Sequence, residues 1–228
     1  MTDLAKIIDI ANPEESKVAV VLLLDNSGSM SENDKINQLN KGLKTFKEDI
    51  IENDLARKRV EVAIITFGDE VKIIHDFSSI EQFEPPYLKT DGLTPMGDAI
   101  LKAFELIEER KEKYRKSGIN YYRPWIFMIT DGEPTDMEPG DKQWETIKKL
   151  VHIGEEEKKF LFFSVAVNPA NMEILNELSL PDRPPVKLKI TKFKELFKWL
   201  SDSLISVSSS KVGEQVALPS IGWAEISI

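Results

Sequence analysis

The chain has 228 residues, 41% of them apolar and 30% charged, with a formal charge of −9 and no cysteine. This length suits one domain with a sizeable buried core, and the composition is that of a folded globular chain, neither disordered nor membrane-spanning. The missing cysteines exclude disulfides and thiolate metal sites, and the negative balance argues against duplex nucleic acid, whose phosphates require a concentrated basic face.

Residues 1–16 read as a lead-in, and Met1-Thr2-Asp3-Leu4 lacks the basic region of a secretory signal. Val18–Leu24 (VAVVLLL) is continuously apolar, as in a strand buried on both faces of a parallel sheet, and is too short to cross a bilayer. A cytoplasmic location with no membrane partner is the resulting expectation. Ile36, Leu39, Leu43, Phe46 and Ile50 recur at steps of three and four, which predicts an amphipathic helix. Val60–Phe67 is a second strand, and the Gly68-Asp69 turn leads into Val71–Ile74 as an antiparallel partner at a sheet edge.

Pro95 suits a first helical position, and Met96, Ala99, Ile100, Ala103, Phe104 and Ile107 form the stripe of the helix that follows it. The mixed charges of Glu108–Lys116 read as its solvated end. Trp125–Thr130 and Phe160–Val167 are two more central strands, separated by a helix carrying Trp144, Ile147, Leu150 and Val151 and ending near Lys158-Lys159. A helix over Met172–Leu178, a last strand over Val186–Ile190 and a helix from Phe193 to about Val207 follow. Ser206–Ser210 reads as a short linker, and Pro219, Ile221 and Trp223 suggest a tail packed on the domain. Strands alternating with helices predict an α/β fold. Its sheet is doubly wound and mostly parallel, with one antiparallel edge strand and helices on both faces. The domain spans residues 17–207 and the tail 208–228.

In such sheets ligands sit beyond the carboxyl ends of the strands. Asp25 and Asp131 fall at two of those ends, and Ser27 and Ser29 lie on the turn after Asp25. The Asp91–Met96 loop delivers Thr94 just before a helix. Two carboxylates and three hydroxyls make an all-oxygen set, suited to a hard cation that keeps some of its water, Mg²⁺ before Mn²⁺. Its open position can take a carboxylate from another molecule.

These residues carry a resemblance. Asp25-Asn-Ser27-Gly-Ser29 resembles the Asp-x-Ser-x-Ser motif of von Willebrand factor A domains, with Thr94 and Thr130-Asp131-Gly132 matching the other two elements of their metal-ion-dependent adhesion site (MIDAS). The resemblance spans roughly residues 17–205. It implies that Ser27, Ser29 and Thr94 touch the ion directly and that Asp25 and Asp131 act through water. The VVLLLDNSGSM opening, Gly92–Gly97 and Thr130–Asp136 are similar to the bacterial TerY-like branch, which is linked to tellurite resistance and stress responses beside protein kinases and phosphatases.

Each residue has a plainer reading. Ser27, Asp25 or Thr94 alone could cap a helix, Asp98 is a favourable charge in a first helical turn, and Glu133 and Asp136 shape the loop after Asp131. Met30 and Met96 read as packing residues, and His75 and His152 have no partner pattern. The combined motif favours a non-enzymatic, cation-dependent protein-binding module whose partner supplies a Glu or Asp, with an associated kinase or phosphatase as a candidate. One alternative is a metal-dependent phosphotransfer or hydrolytic enzyme. Against it, Ser27 stands where a dehalogenase-like phosphatase needs a second carboxylate, and no G-x-x-x-x-G-K-[ST] or G-x-S-x-G pattern occurs. The other alternative is a structural subunit whose metal only stabilises the fold.

Overall fold

The apolar runs become strands because helices cover the sheet from both sides. In the computed structural model, residues 10–167, 170–189 and 192–222 are described, and 224–226 as backbone only. The strands are β1 (Val18–Asp25), β2 (Val60–Phe67), β3 (Val71–Ser79), β4 (Trp125–Thr130), β5 (Leu161–Val167), β6 (Val186–Leu188) and β7 (Ala224–Ile226). The helices are α1 (Lys35–Ile51), the short α2 (Ala56–Arg59), α3 (Met96–Lys116), α4 (Lys142–Glu156), α5 (Met172–Leu178) and α6 (Phe193–Ser208). Every residue of β1 is buried. Val18, Val20, Leu22 and Leu24 enter one core with α1 and α6, while Ala19, Val21 and Leu23 enter a second with α3, α4 and α5.

The sheet order is β3-β2-β1-β4-β5-β6-β7. β1 pairs in parallel with β2 on one side and β4 on the other, so the winding reverses beside β1 and opens a crevice at the carboxyl ends of β1 and β4. β3 is the predicted antiparallel edge, although it continues beyond Ile74 to Ser79 with register shifts opposite Ile64. A second antiparallel edge comes from β7, which pairs with β6. The Trp199 indole donates to the Pro219 carbonyl at 2.8 Å on the way to that strand. Trp223 and the Ile190 end of the predicted last strand lie outside the described residues.

Three local expectations are corrected. Ser206–Ser208 belong to α6 and are not linker, because Leu204, Ile205 and Val207 pack on the core and carry the helix through them; their hydroxyls bond back along it, Ser206 to the Asp202 carbonyl at 2.8 Å and Ser208 to that of Ile205 at 2.9 Å. Leu150, counted in an apolar stripe, is 40% exposed. The end of α3 is not uniformly solvated, since Arg110, Lys111 and Tyr114 are buried. Arg110 grips Glu61, a wholly buried carboxylate of β2, through Nε at 2.8 Å and Nη2 at 2.7 Å, and the Tyr114 hydroxyl donates to the same oxygen.

A buried ion pair contributes little net stability, but removing one partner strands the other charge. Arg110→Ala should therefore lower stability by about 3–5 kcal/mol in urea denaturation, whereas Arg115→Ala, at an exposed pair with Glu112, should change it by less than about 1 kcal/mol.

Candidate functional site

Asp25, the last residue of β1, is fully buried beside the end of β4. Its Oδ1 accepts the Ser27 backbone N–H at 2.8 Å, and its Oδ2 accepts the Thr130 hydroxyl at 2.6 Å. Burial pushes the Asp25 carboxyl above the ordinary aspartate range. The hydrogen bonds from Ser27 and Thr130 pull it back, and the negative charge of Asp131 adds to the rise.

The turn after Asp25 feeds a kinked 3₁₀ segment, Gly28–Asp34, whose helical path is broken at Glu32 and Asn33. Ser29 donates to Asp131 Oδ1 at 2.6 Å, so its single proton is committed, and its Oγ lies 3.0 Å from that of Ser27, whose own proton has both Ser29 and Asp25 as acceptors. Asp131 Oδ2 accepts from the Lys35 ammonium, which also donates to the Ser29 carbonyl at 3.0 Å. The Lys35 and Asp131 side chains are 4% and 0% exposed.

Backbone bonds draw the Thr94 loop in. Gly28 N–H donates to the Gly92 carbonyl at 3.1 Å, and Asp91 N–H to that of Asn26 at 2.7 Å. Gly92 sits at φ +63°, and a Cβ there would lie 2.4 Å from the Asp69 backbone, so only glycine permits the approach. Thr94 N–H donates to Thr135 Oγ1 at 3.1 Å, and its carbonyl accepts Thr135 N–H at 2.9 Å. A Cβ on Gly132 would lie 3.0 Å from Thr94 Oγ1 and 3.6 Å from Asp25 Oδ2, which puts both groups beside that glycine. All five predicted residues thus meet at the crevice, and Met30 and Met96 lie fully buried in the two cores on either side.

The arrangement tests the plainer capping readings. Neither Ser27 nor Pro95, the residues at the cap positions of the 3₁₀ segment and α3, makes a side-chain cap. α3 is capped from another loop, by Asp136, whose carboxylate accepts Gly97 N–H at 3.1 Å and Asp98 N–H at 2.8 Å. Thr94 is therefore not needed as a cap. Glu133 holds Asn171, and Asp98 accepts from Gln143.

Lys35 is the member that sequence reading missed. A lysine one residue ahead of an apolar stripe looks solvated, and a cation in a first helical turn opposes the helix dipole. That misplaced sign was the available signal. Among the described residues no three of His, Cys, Asp or Glu gather into a metal-holding group, so the set is limited to two carboxylates with hydroxyls.

The profile of the von Willebrand factor type A domain matches residues 19–199, and the chain belongs to that family. No curated sequence matches closely enough to count as a relative. Among solved structures, the open conformation of the pilus adhesin SpaC from Lactobacillus rhamnosus GG superposes with a TM-score of 0.65 at 13% identity, covering 87% of this chain and 31% of that one. VWA2, the ArnB paralog of Sulfolobus acidocaldarius, gives 0.51 at 20% identity, covering 82% and 45%. Proximal thread matrix protein 1 of the mussel byssus, solved with a zinc-occupied MIDAS motif, gives 0.53 at 15% identity, covering 85% and 46%. The chain thus spans between about a third and a half of these proteins, and the likeness is one of fold.

Asp136→Ala should lower stability by about 0.5–2 kcal/mol through loss of the α3 cap. It should leave any cation dependence of that stability in place, which urea titrations with and without Mg²⁺ would check.

Proposed function

We propose that the chain is a non-enzymatic module that holds a divalent cation with Ser27, Ser29 and Thr94, backed by Asp25 and Asp131, and uses it to bind a Glu or Asp of a protein partner. One observation carries this reading: three hydroxyls converge on two buried carboxylates while the helix that Thr94 precedes is capped by Asp136. The residues fit a cation chemically. Ser29 gives its proton to Asp131, which leaves an oxygen lone pair for a hard ion, and Asp25 is a carboxylate in a dry setting that an adjacent positive charge would stabilise. When bound, the ion would supply a positively charged, Lewis-acidic contact for the partner's carboxylate.

Mg²⁺ suits a set so rich in neutral oxygens, with Mn²⁺ as the alternative. Oxygen donors also accept zinc, and the mussel protein's zinc-occupied motif makes zinc a necessary competitor in any titration. Against an enzyme, neither described histidine is placed to serve a site hydroxyl as a base. His75 bonds Ser78 on the β3 edge, and His152 bonds the Glu177 carbonyl. The similarity of Gly92–Gly97 and Thr130–Asp136 to the TerY-like branch supports a stress or tellurite-resistance setting, with a protein kinase or phosphatase as the partner to look for first.

Saturating wild-type protein with Mg²⁺ at a hundred times its Kd should add about 2.7 kcal/mol of stability. Thr94→Ala and Asp25→Ala should lose that gain. They should also fail to retain proteins that wild type captures from cytosol in Mg²⁺ and releases to chelator. Retention by Thr94→Ala in Mg²⁺ equal to wild type would overturn the mechanism.

A pH dependence follows from Asp25. The cation needs the ionised carboxylate, and burial makes this carboxyl take up its proton at a higher pH than an ordinary aspartate. Mg²⁺ affinity, followed by calorimetry, should fall as the pH drops toward and through that raised pKa, before exposed aspartates titrate.

A further inference from the structure

Lys35 is placed at a disadvantage on three separate counts. Its ammonium is removed from water, with the whole residue only 3% exposed. It is the first residue of α1, where a positive charge meets the positive end of the helix dipole. The chain reaches it through two successive non-glycine residues in the left-handed region, Asn33 at φ 52° and Asp34 at φ 63°. Each such step is unfavourable for an L-residue, although Asn and Asp tolerate it best. These two steps turn the start of α1 back over the 3₁₀ segment, so that Nζ meets Ser29 O and Asp131 Oδ2.

A buried ion pair is weak evidence for stability, because desolvation offsets the attraction. A role in the site accounts for the placement better than fold stability does. Asp25 and Asp131 bring two negative charges to the crevice, and Lys35 returns it to one. A divalent cation then makes the loaded site positive by one charge. Without Lys35 the loaded site would be neutral, holding its ion more firmly and attracting an anion less.

We propose that Lys35 is a positioning residue that tunes this site: its ammonium holds Asp131 and repels the incoming cation, so that the bare site binds metal weakly and the loaded site favours a carboxylate partner. This rests on the cation reading above and assigns a role to a residue outside the five-residue motif. Repulsion across a few ångströms in a partly dry site changes affinity by about tenfold or more.

The test is calorimetric titration of the full chain with Mg²⁺ alone, for wild type, Lys35→Met and Lys35→Arg. Lys35→Met should bind Mg²⁺ about tenfold or more tightly than wild type, and Lys35→Arg, which keeps the charge, should stay close to wild type. A lysine that only braced the fold would give the opposite, with weaker metal binding in Lys35→Met. Equal or weaker binding in a folded Lys35→Met would overturn the proposal. Because Asp131 then lacks its cation, Lys35→Met is also to be followed by circular dichroism with and without Mg²⁺. Folding that requires Mg²⁺ would support the proposal. If the variant stayed unfolded in saturating Mg²⁺ while Lys35→Met/Asp131→Asn folded, the pair would be structural and the proposal wrong. No Mg²⁺ binding by wild type would sink the cation reading and this inference with it. Wild-type binding that does not tighten in Lys35→Met would sink this inference alone.

Discussion

Two carboxylates are kept out of water at the carboxyl ends of adjacent strands, and most of what surrounds them answers that constraint. A buried carboxylate without partners is costly. Asp25 meets the cost with a backbone N–H and the Thr130 hydroxyl, and Asp131 with a serine hydroxyl and an ammonium. Three loops are drawn together to deliver those donors and are fastened by backbone bonds between Gly28 and Gly92, Asn26 and Asp91, and Thr94 and Thr135. The donors around these carboxylates are mostly neutral, and among the described residues the one full positive charge on them, Lys35, sits on Asp131. That imbalance leaves a residual negative charge in a dry crevice, a setting in which a small hard cation gains most.

The sheet topology puts both carboxylates in reach of each other. Because the winding reverses beside β1, the loops after β1 and β4 diverge to opposite faces and leave a gap above the strands. The opposite end of the same strands is treated differently. There Glu61 is matched by the Arg110 fork and the Tyr114 hydroxyl, and Lys17 by the carbonyls of Ala11 and Lys58. Fixed side chains and carbonyls answer those charges, which suits a clamp joining α3, the sheet and the N-terminal segment. At the carboxyl end each carboxylate is answered in part by a hydroxyl, from Thr130 or Ser29, whose oxygen keeps a lone pair available.

Much of this was legible in the sequence because its determinants are local. A strand buried on both faces reads as an apolar run, so β1, β2, β4 and β5 were placed to within a residue or so. The motif residues follow strand ends, which fixes their side of the sheet. What was hidden depends on distant partners. Arg110 and Lys111 lie in a charge-rich stretch that looks solvated, and only the packing of α3 on β2 shows that Arg110 turns inward to Glu61. The serines near residue 208 look like linker because the packing of Leu204, Ile205 and Val207 on the core, which carries α6 through them, is invisible to composition. The antiparallel pairing of β7 requires β6 to be a free edge, which is a property of the assembled sheet.

The site itself shows why counting motif residues is not enough. Read singly, Thr94 before Pro95 is a helix cap, and so is Ser27 at the start of its 3₁₀ segment. Capping and metal binding compete for the same hydroxyl lone pairs, and sequence cannot say which wins. In the fold the N–H groups that open these helices find partners in other loops. Asp136, from the loop after β4, accepts the Gly97 and Asp98 N–H groups of α3, and the Gly92 carbonyl accepts the Gly28 N–H that opens the 3₁₀ segment. Asp136 follows Thr135, whose hydroxyl accepts the Thr94 N–H and whose N–H donates to the Thr94 carbonyl. The loop after β4 thus brings Asp131 to the site with one end and, with the other, relieves Thr94 of the task that its position would otherwise impose.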